Sequence, residues 1–317
     1  IGNDFTLEGA NQADVFNSVG RRIEMFREHY LNVTRPSQGL YIANPSNLLG
    51  AGWWPDPLIP LEAGRNQGGA PFDVAAGMNQ GVWVDVYVPP SAAAGNYTGT
   101  ISVLSGETVL QSLSVTLTVH DFTLPNRTHL RTFLLYDPQQ IRKRHGTESV
   151  SSARYYAIEK RYYKMAQRHR LNLTVGRFPY YLTDTELSCL DGSLYSSSNG
   201  YEGPGMGIGS RIWIFDDDSV DYAWDAAPTR FYASLDEWYA YFNAHNLDWD
   251  IILYYLMDEP GEDEEWQVEF IQRVADWVHA YSHPVWTMIT EYINPGFIRG
   301  SEPEWITFWM PPASEQE

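Results

Sequence analysis

The chain has 317 residues, of which 44% are hydrophobic, 19% charged and 15% aromatic. A sizeable core can be buried, and disordered, collagenous and coiled-coil chains are excluded. With 21 basic against 40 acidic residues the net charge is −19, which excludes binding to nucleic acid or an anionic membrane through the overall field, and no apolar run is long enough to imply a membrane span.

The first part reads as β. A strand is expected over 22–33, followed by a long ordered loop over 36–80 that is rich in Pro, Gly and Asn and contains Trp53-Trp54-Pro55-Asp56-Pro57-Leu58-Ile59-Pro60. Strands over 82–88, ended by Pro89-Pro90, and 97–104 come next. Ser105-Gly106 then turns the chain into a strand over 109–119. There Leu113, Val115, Leu117 and Val119 alternate with Ser114, Thr116 and Thr118, the pattern of one buried face and one wet face. Hairpins without helices predict a β-sandwich domain over 1–127.

The second part alternates between the two periods. Strands are expected over 130–136, 171–175, 211–215, 251–257, 285–290 and 305–310. A helix over 153–170 takes Ser151 or Ser152 as N-cap and sets Tyr155, Ile158, Tyr162, Met165, Ala166 and His169 on one side. Ser234-Leu235-Asp236-Glu237 reads as a capping box that opens a helix to about His245. A further helix over 262–281 spaces Trp266, Phe270, Val274, Trp277 and Tyr281 for one face. Apolar strands alternating with helices predict a parallel sheet covered by helices. The six strands over 128–317 read as a (β/α)8 TIM-type barrel truncated after about six strands, with an open doubly wound sheet as the alternative. The fold class is therefore multidomain β plus α/β. Gly203-Pro204-Gly205-Met206-Gly207-Ile208-Gly209 precedes a strand and opens no helix, so it reads as a flexible loop with no phosphate site.

One constellation carries chemistry. Tyr254-Tyr255-Leu256-Met257-Asp258-Glu259-Pro260 places two adjacent carboxylates at the C-terminal end of the most apolar strand, where barrel enzymes keep their catalytic groups. Neighbours in a regular strand point to opposite faces, but at a strand exit the backbone can bend both acids toward one pocket. Glycoside hydrolysis needs one protonated acid for the leaving oxygen and one anion for the developing positive centre. Adjacent carboxylates are too close for opposed acid and nucleophile roles. They suit the substrate-assisted variant, in which the substrate's own 2-acetamido oxygen attacks the anomeric carbon. Asp-Glu-Pro-Gly is equally good turn chemistry before a helix, and spacing alone leaves both readings open.

A resemblance favours the first. Pro55-Asp56-Pro57-Leu58-Ile59-Pro60, Asn79-Gln80-Gly81-Val82-Trp83-Val84-Asp85-Val86, Val88-Pro89, Ala94-Gly95-Asn96-Tyr97-Thr98-Gly99-Thr100 and Val119-His120-Asp121-Phe122-Thr123-Leu124-Pro125 form an ordered set. That set resembles the β-sandwich preceding the barrel in glycoside hydrolase family 123, and Tyr255-Leu256-Met257-Asp258-Glu259-Pro260 resembles that family's catalytic Asp-Glu. The resemblance implies a glycosidase acting on β-linked N-acetylgalactosaminides by substrate assistance. Asp258 would be the acetamido-orienting anion and Glu259 the general acid/base. It also implies a secreted, periplasmic or cell-surface setting and a chain that is a fragment of a longer protein.

Weaker candidates follow from their places at strand ends. Asp137 after the first barrel strand and Arg177 after the second stand where sugar hydroxyls are bound. Tyr292 is placed for an acetamido oxygen, Glu291 for a sugar hydroxyl and Trp309 for stacking on a ring, core packing being the more frequent use of an aromatic. No metal is expected: Asp216-Asp217-Asp218 with Asp221 and Asp225 lack calcium-loop spacing, and His279 with His283 lack a third ligand. Cys189 is the single cysteine, so no intramolecular disulfide forms, and it reads as a buried, inert thiol. No cofactor is expected, and the partner expected is a glycan. Two other readings remain. One is a two-carboxylate retaining glycosidase with its nucleophile on a later strand. The other is a non-catalytic glycan-binding module.

Overall fold

A computed structural model describes residues 23–35, 50–125, 134–175, 182–201, 213–215, 227–247, 252–261, 264–290 and 308–309. The fold is a mixture of strands and helices in small sheets. Its contacts divide the chain into two compact units, Ile1–Leu124 and Pro125–Glu317.

The first unit holds β1 (Ile23–Val33), β2 (Gly52–Pro60), β3 (Val82–Val86), β4 (Gly95–Ser105) and β5 (Thr108–Val119). β1 is central in an antiparallel sheet of order β2-β1-β3. Sequence reading placed 52–60 in a loop because of its three prolines, and the structure corrects this. β2 lies at a sheet edge, where a missing N–H can face away from the ladder. The segment leading into β3 is pinned to β1, because Gln80 accepts from Arg27 Nε at 3.0 Å and donates to the Glu28 carbonyl at 2.7 Å.

β4 and β5 form a separate antiparallel hairpin in continuous register, from Gly95 opposite Val119 to Ser105 opposite Thr108, apart from one irregularity at Val103/Leu104. Gly106 turns it with φ +59°, a conformation that costs glycine nothing. The expected alternation is present, but the expected buried face is not. Leu113 and Val115 are exposed, as are Val103, Leu104, Val109 and Leu110. Among the described residues the ribbon has two strands and no second layer over its apolar side.

The second unit holds β6 (Leu134–Tyr136), α1 (Pro138–His145), α2 (Ala153–Arg168), β7 (Leu173–Val175), α3 (Asp184–Leu190), β8 (Trp213–Phe215), α4 (Thr229–Ala244), β9 (Ile252–Met257), α5 (Glu265–Ala280), β10 (Trp286–Ile289) and β11 (Phe308–Trp309). All described strand pairs here are parallel and join neighbours in chain order, β6 with β7, and β8-β9-β10-β11. The described residues trace neither a closed barrel nor a complete sandwich.

Local capping sets the starts of α2 and α3, and a tertiary contact sets that of α4. Ser152 caps α2 by accepting from the Tyr155 N–H at 3.2 Å. Thr183 and Glu186 form a reciprocal capping box at α3, a helix that sequence reading missed together with α1. The capping box assigned to Ser234 is corrected, because α4 begins a turn earlier at Thr229. Phe231, 1% exposed and tilted against Trp277, gives that extra turn a buried contact that outweighs the cap.

The largest core lies between α4, α5, β9 and β10, with Phe231, Phe242, Leu256, Phe270, Val274 and Ile289 among its buried members. Each such side chain contributes roughly 1.5–3 kcal/mol on burial. On α5 the buried face is Phe270, Ile271, Val274, Ala275, Trp277 and Val278. Trp266, expected on that face, is exposed. On α2, Met165 is likewise exposed, while the polar Glu159 and Gln167 are buried. Glu159 is buried because Tyr136 and Tyr155 both donate to its Oε1, at 2.7 and 2.8 Å. Burial first, then neighbouring Tyr163 and Glu159, pushes the Tyr136 hydroxyl far above its ordinary range. Cys189 is buried on α3, and burial pushes its thiol well up, so the thiolate is disfavoured.

Candidate active site

The C-terminal edge of the β8-β9-β10-β11 sheet is built by a break in register. Tyr255 pairs with Met288, but Met257 pairs with Ile289, so Leu256 is an extra residue on β9. Leu256 and Met257 are both buried, as expected of an inner strand of a parallel sheet, so the bulge shows in the pairing and not in the burial. The bulge changes which residue of β9 leaves the sheet beside the end of β10. It sets Asp258 next to Thr290, and the two are joined by a hydrogen bond in which the Thr290 hydroxyl donates to Asp258 Oδ1 at 2.8 Å. The same hydroxyl oxygen accepts from the Glu259 backbone N–H at 2.6 Å. One side chain thus touches both members of the acid pair.

Glu259 has φ +42°. A residue with a β-carbon enters that region at a cost of roughly 1–2 kcal/mol. Two other described non-glycine residues share a positive φ, Arg170 and Asn246, and each follows the last turn of a helix. Their neighbours close the helix ends, with Leu171 N–H on the Ala166 carbonyl and Leu247 N–H on the Phe242 carbonyl, both at 2.9 Å. Glu259 follows a strand instead. Its conformation is held by the Thr290 contact and by what comes next. Pro260 is buried, and the Gly261 N–H donates to Gln267 Oε1 on α5 at 2.6 Å. Both Asp258 and Glu259 remain exposed. Two carboxylates therefore sit at a sheet edge on a backbone fixed from both sides, open to a ligand.

Of the five other sequence candidates for the site, Asp137 and Trp309 lie among the described residues. Asp137 follows β6 as expected, but its carboxylate caps α1 by accepting from the Gln139 N–H at 2.8 Å. Trp309 ends β11, and its backbone pairs with Ile289, level with Met257 on the other side of β10. That row brings the end of β11 to the same edge as the acid pair. Arg177, Glu291 and Tyr292 lie outside the described residues, as do Asp216, Asp217, Asp218, Asp221 and Asp225. His283 stacks on Tyr239 with 3.6 Å between ring centroids. Among the described residues no group of three or more His, Cys, Asp or Glu side chains is placed to hold a metal ion. Sequence reading missed Thr290 because it is 32 positions from Asp258. The signal available was its place as the first residue after an apolar strand neighbouring the Asp-Glu strand.

No family model matches the chain, and no curated protein matches it. Among solved structures, a Bacteroides fragilis protein provisionally named a beta-galactosidase aligns with 87% of this chain at 10% identity and a TM-score of 0.27. The chain spans 35% of that protein's length.

Proposed function

We propose that the protein is a glycoside hydrolase that cleaves a terminal β-linked N-acetylhexosamine, N-acetylgalactosamine in preference, by substrate-assisted retaining catalysis. The observation that carries the reading is the exposed Asp258-Glu259 pair, set by a bulge at the C-terminal end of a parallel strand with Glu259 at φ +42°. A plain turn between strand and helix does not require a strained glutamate, and such strain gathers at functional sites. The parallel strands that follow one another in chain order favour a (β/α) barrel over 128–317 as the scaffold, behind a β-sandwich over 1–127. The resemblance of the Asp-Glu motif to glycoside hydrolase family 123 supplies the substrate class.

In this mechanism the Asp258 carboxylate receives the acetamido N–H of the bound sugar and turns its carbonyl oxygen toward the anomeric carbon. Glu259, protonated, gives its proton to the glycosidic oxygen as that C–O bond breaks. The acetamido oxygen forms a bond to the same carbon, and Asp258 stabilises the positive charge spread over the resulting oxazolinium ring. Glu259, now a carboxylate, takes a proton from water, which attacks the anomeric carbon and reopens the ring to the acetamide. Two displacements return the β configuration. Asp137, Arg177, Glu291, Tyr292 and Trp309 are assigned to the rest of the sugar site by their strand-end positions.

An N-acetyl-thiazoline of the galacto configuration mimics the oxazoline ring and tests the proposal by calorimetry without any need for turnover. It should bind the wild-type chain and lose at least tenfold in affinity with Asp258→Asn. Absence of binding to the folded protein would sink substrate assistance and leave a protein nucleophile or a non-catalytic glycan surface.

A further inference from the structure

We propose that Thr290 is the positioning residue of the acid pair, fixing Asp258 and Glu259 relative to one another through a single hydroxyl. This rests on the functional reading above and names a residue that neither the motif nor its spacing indicates. A threonine hydroxyl has one proton to give and lone pairs to receive. Here both capacities are used on the two adjacent residues, with the proton on Asp258 Oδ1 at 2.8 Å and a lone pair on the Glu259 N–H at 2.6 Å. The two contacts act on different degrees of freedom. The first fixes the rotation of the Asp258 carboxylate. The second anchors the peptide N–H of Glu259, whose φ of +42° would otherwise relax toward the ordinary negative range.

The arrangement suits a reaction in which two carboxylates from neighbouring positions must serve opposite ends of one anomeric centre. Adjacent residues on an extended strand diverge, so their side chains converge only if the backbone between them is bent and kept bent. The bulge at Leu256 brings β9 into position to meet Thr290, and Ile289, the residue before it, is fully buried and paired on both sides, with Met257 and Trp309. The clamp is therefore mounted on a central strand of the described sheet, which is the support that preorganised catalytic groups need. Thr290 itself touches no reacting atom in this scheme. Its effect passes through the carboxylates.

The test compares wild type, Thr290→Val and Thr290→Ser in the full chain, with two readouts. The first is exchange of the Glu259 backbone amide with solvent, followed by NMR, which requires no substrate. Valine keeps the shape but removes both hydrogen bonds, so exchange should accelerate at least tenfold, while serine keeps it near wild type. The second is hydrolysis of 4-nitrophenyl β-N-acetylgalactosaminide. Thr290→Val should lower kcat by roughly a hundredfold, the loss expected of an ångström-scale misplacement, with KM within threefold, and serine should recover most of kcat. An unchanged Glu259 exchange rate in the valine variant overturns the clamp whatever the activity. A full kcat in Thr290→Val with accelerated exchange overturns its part in the reaction. Wild-type protein that hydrolyses no N-acetylhexosaminide, with the exchange response intact, removes the functional reading and leaves the clamp standing as a structural contact.

Discussion

The β4–β5 hairpin and the β9–α5–β10 region carry equally strong apolar patterns and use them differently. In the hairpin, eleven residue pairs run in antiparallel register, yet Leu110 is 62% exposed and Leu113 and Val115 are also open. In the second region the strands are shorter, but Ile271, Val274, Met288 and Ile289 have no exposed surface. Strand pairing satisfies the backbone in both. What separates them is a second layer, since α5 lies on β9 and β10, while among the described residues the hairpin has two strands and no helix over it. A period-2 pattern thus identifies a strand and the face meant for burial, and says nothing about what covers that face.

Substitutions should expose this contrast most strongly in the core. Phe270→Ala removes a ring that is 1% exposed and should cost roughly 3–5 kcal/mol, read as a lowered denaturation midpoint. The equivalent truncation on the hairpin, Leu110→Ala, should stay within about 0.5 kcal/mol. Equal losses at the two sites would mean that the hairpin face is covered in solution.

Alkaline pH should separate the regions next. Tyr136, Tyr163, Tyr195 and Cys189 all lie in the second unit, and burial raises each of them above the ordinary value of 10.0 for tyrosine or 9.0 for cysteine. A group whose folded pKa is raised contributes stability that is complete below its unfolded pKa and disappears as pH climbs past it. The melting temperature should therefore hold steady to about pH 9 and fall above it. Near-UV circular dichroism from the buried tyrosines should be lost together with that fall. A near-UV signal and melting temperature both steady to about pH 11 would contradict the burial of this cluster.

The smallest effect concerns a helix end. Thr183→Ala removes one half of the capping box at α3 and should cost about 1 kcal/mol. An indistinguishable stability would mean that packing of Cys189 and Leu190 alone holds that helix.

Sequence legibility followed the same division. The other strands and the helices α2 and α5 were readable because their apolar residues recur at one period, even though Met165 and Trp266, which share that period, are exposed. β2 was hidden by Pro55, Pro57 and Pro60, which are tolerated at a sheet edge that no local pattern reveals. The start of α4 was misplaced because Phe231 packs against Trp277, a contact across 46 positions. The acid pair was visible as a motif at a strand end. The features that give it geometry, the bulge at Leu256, the positive φ of Glu259 and the hydroxyl of Thr290, come from the pairing of β9 with β10 and have no local signature.

Asp258 and Glu259 are proposed to form one substrate-assisted site. The most direct test is release of 4-nitrophenol from the β-N-acetylgalactosaminide, the β-N-acetylglucosaminide and the plain β-galactoside by wild type, Asp258→Asn and Glu259→Gln. Turnover of N-acetylated sugars alone is expected, the galactosaminide foremost, with a loss of roughly 10²–10⁴-fold in each variant. Cleavage of the plain galactoside that survives Asp258→Asn would contradict substrate assistance, because that sugar has no acetamido oxygen to attack the anomeric carbon.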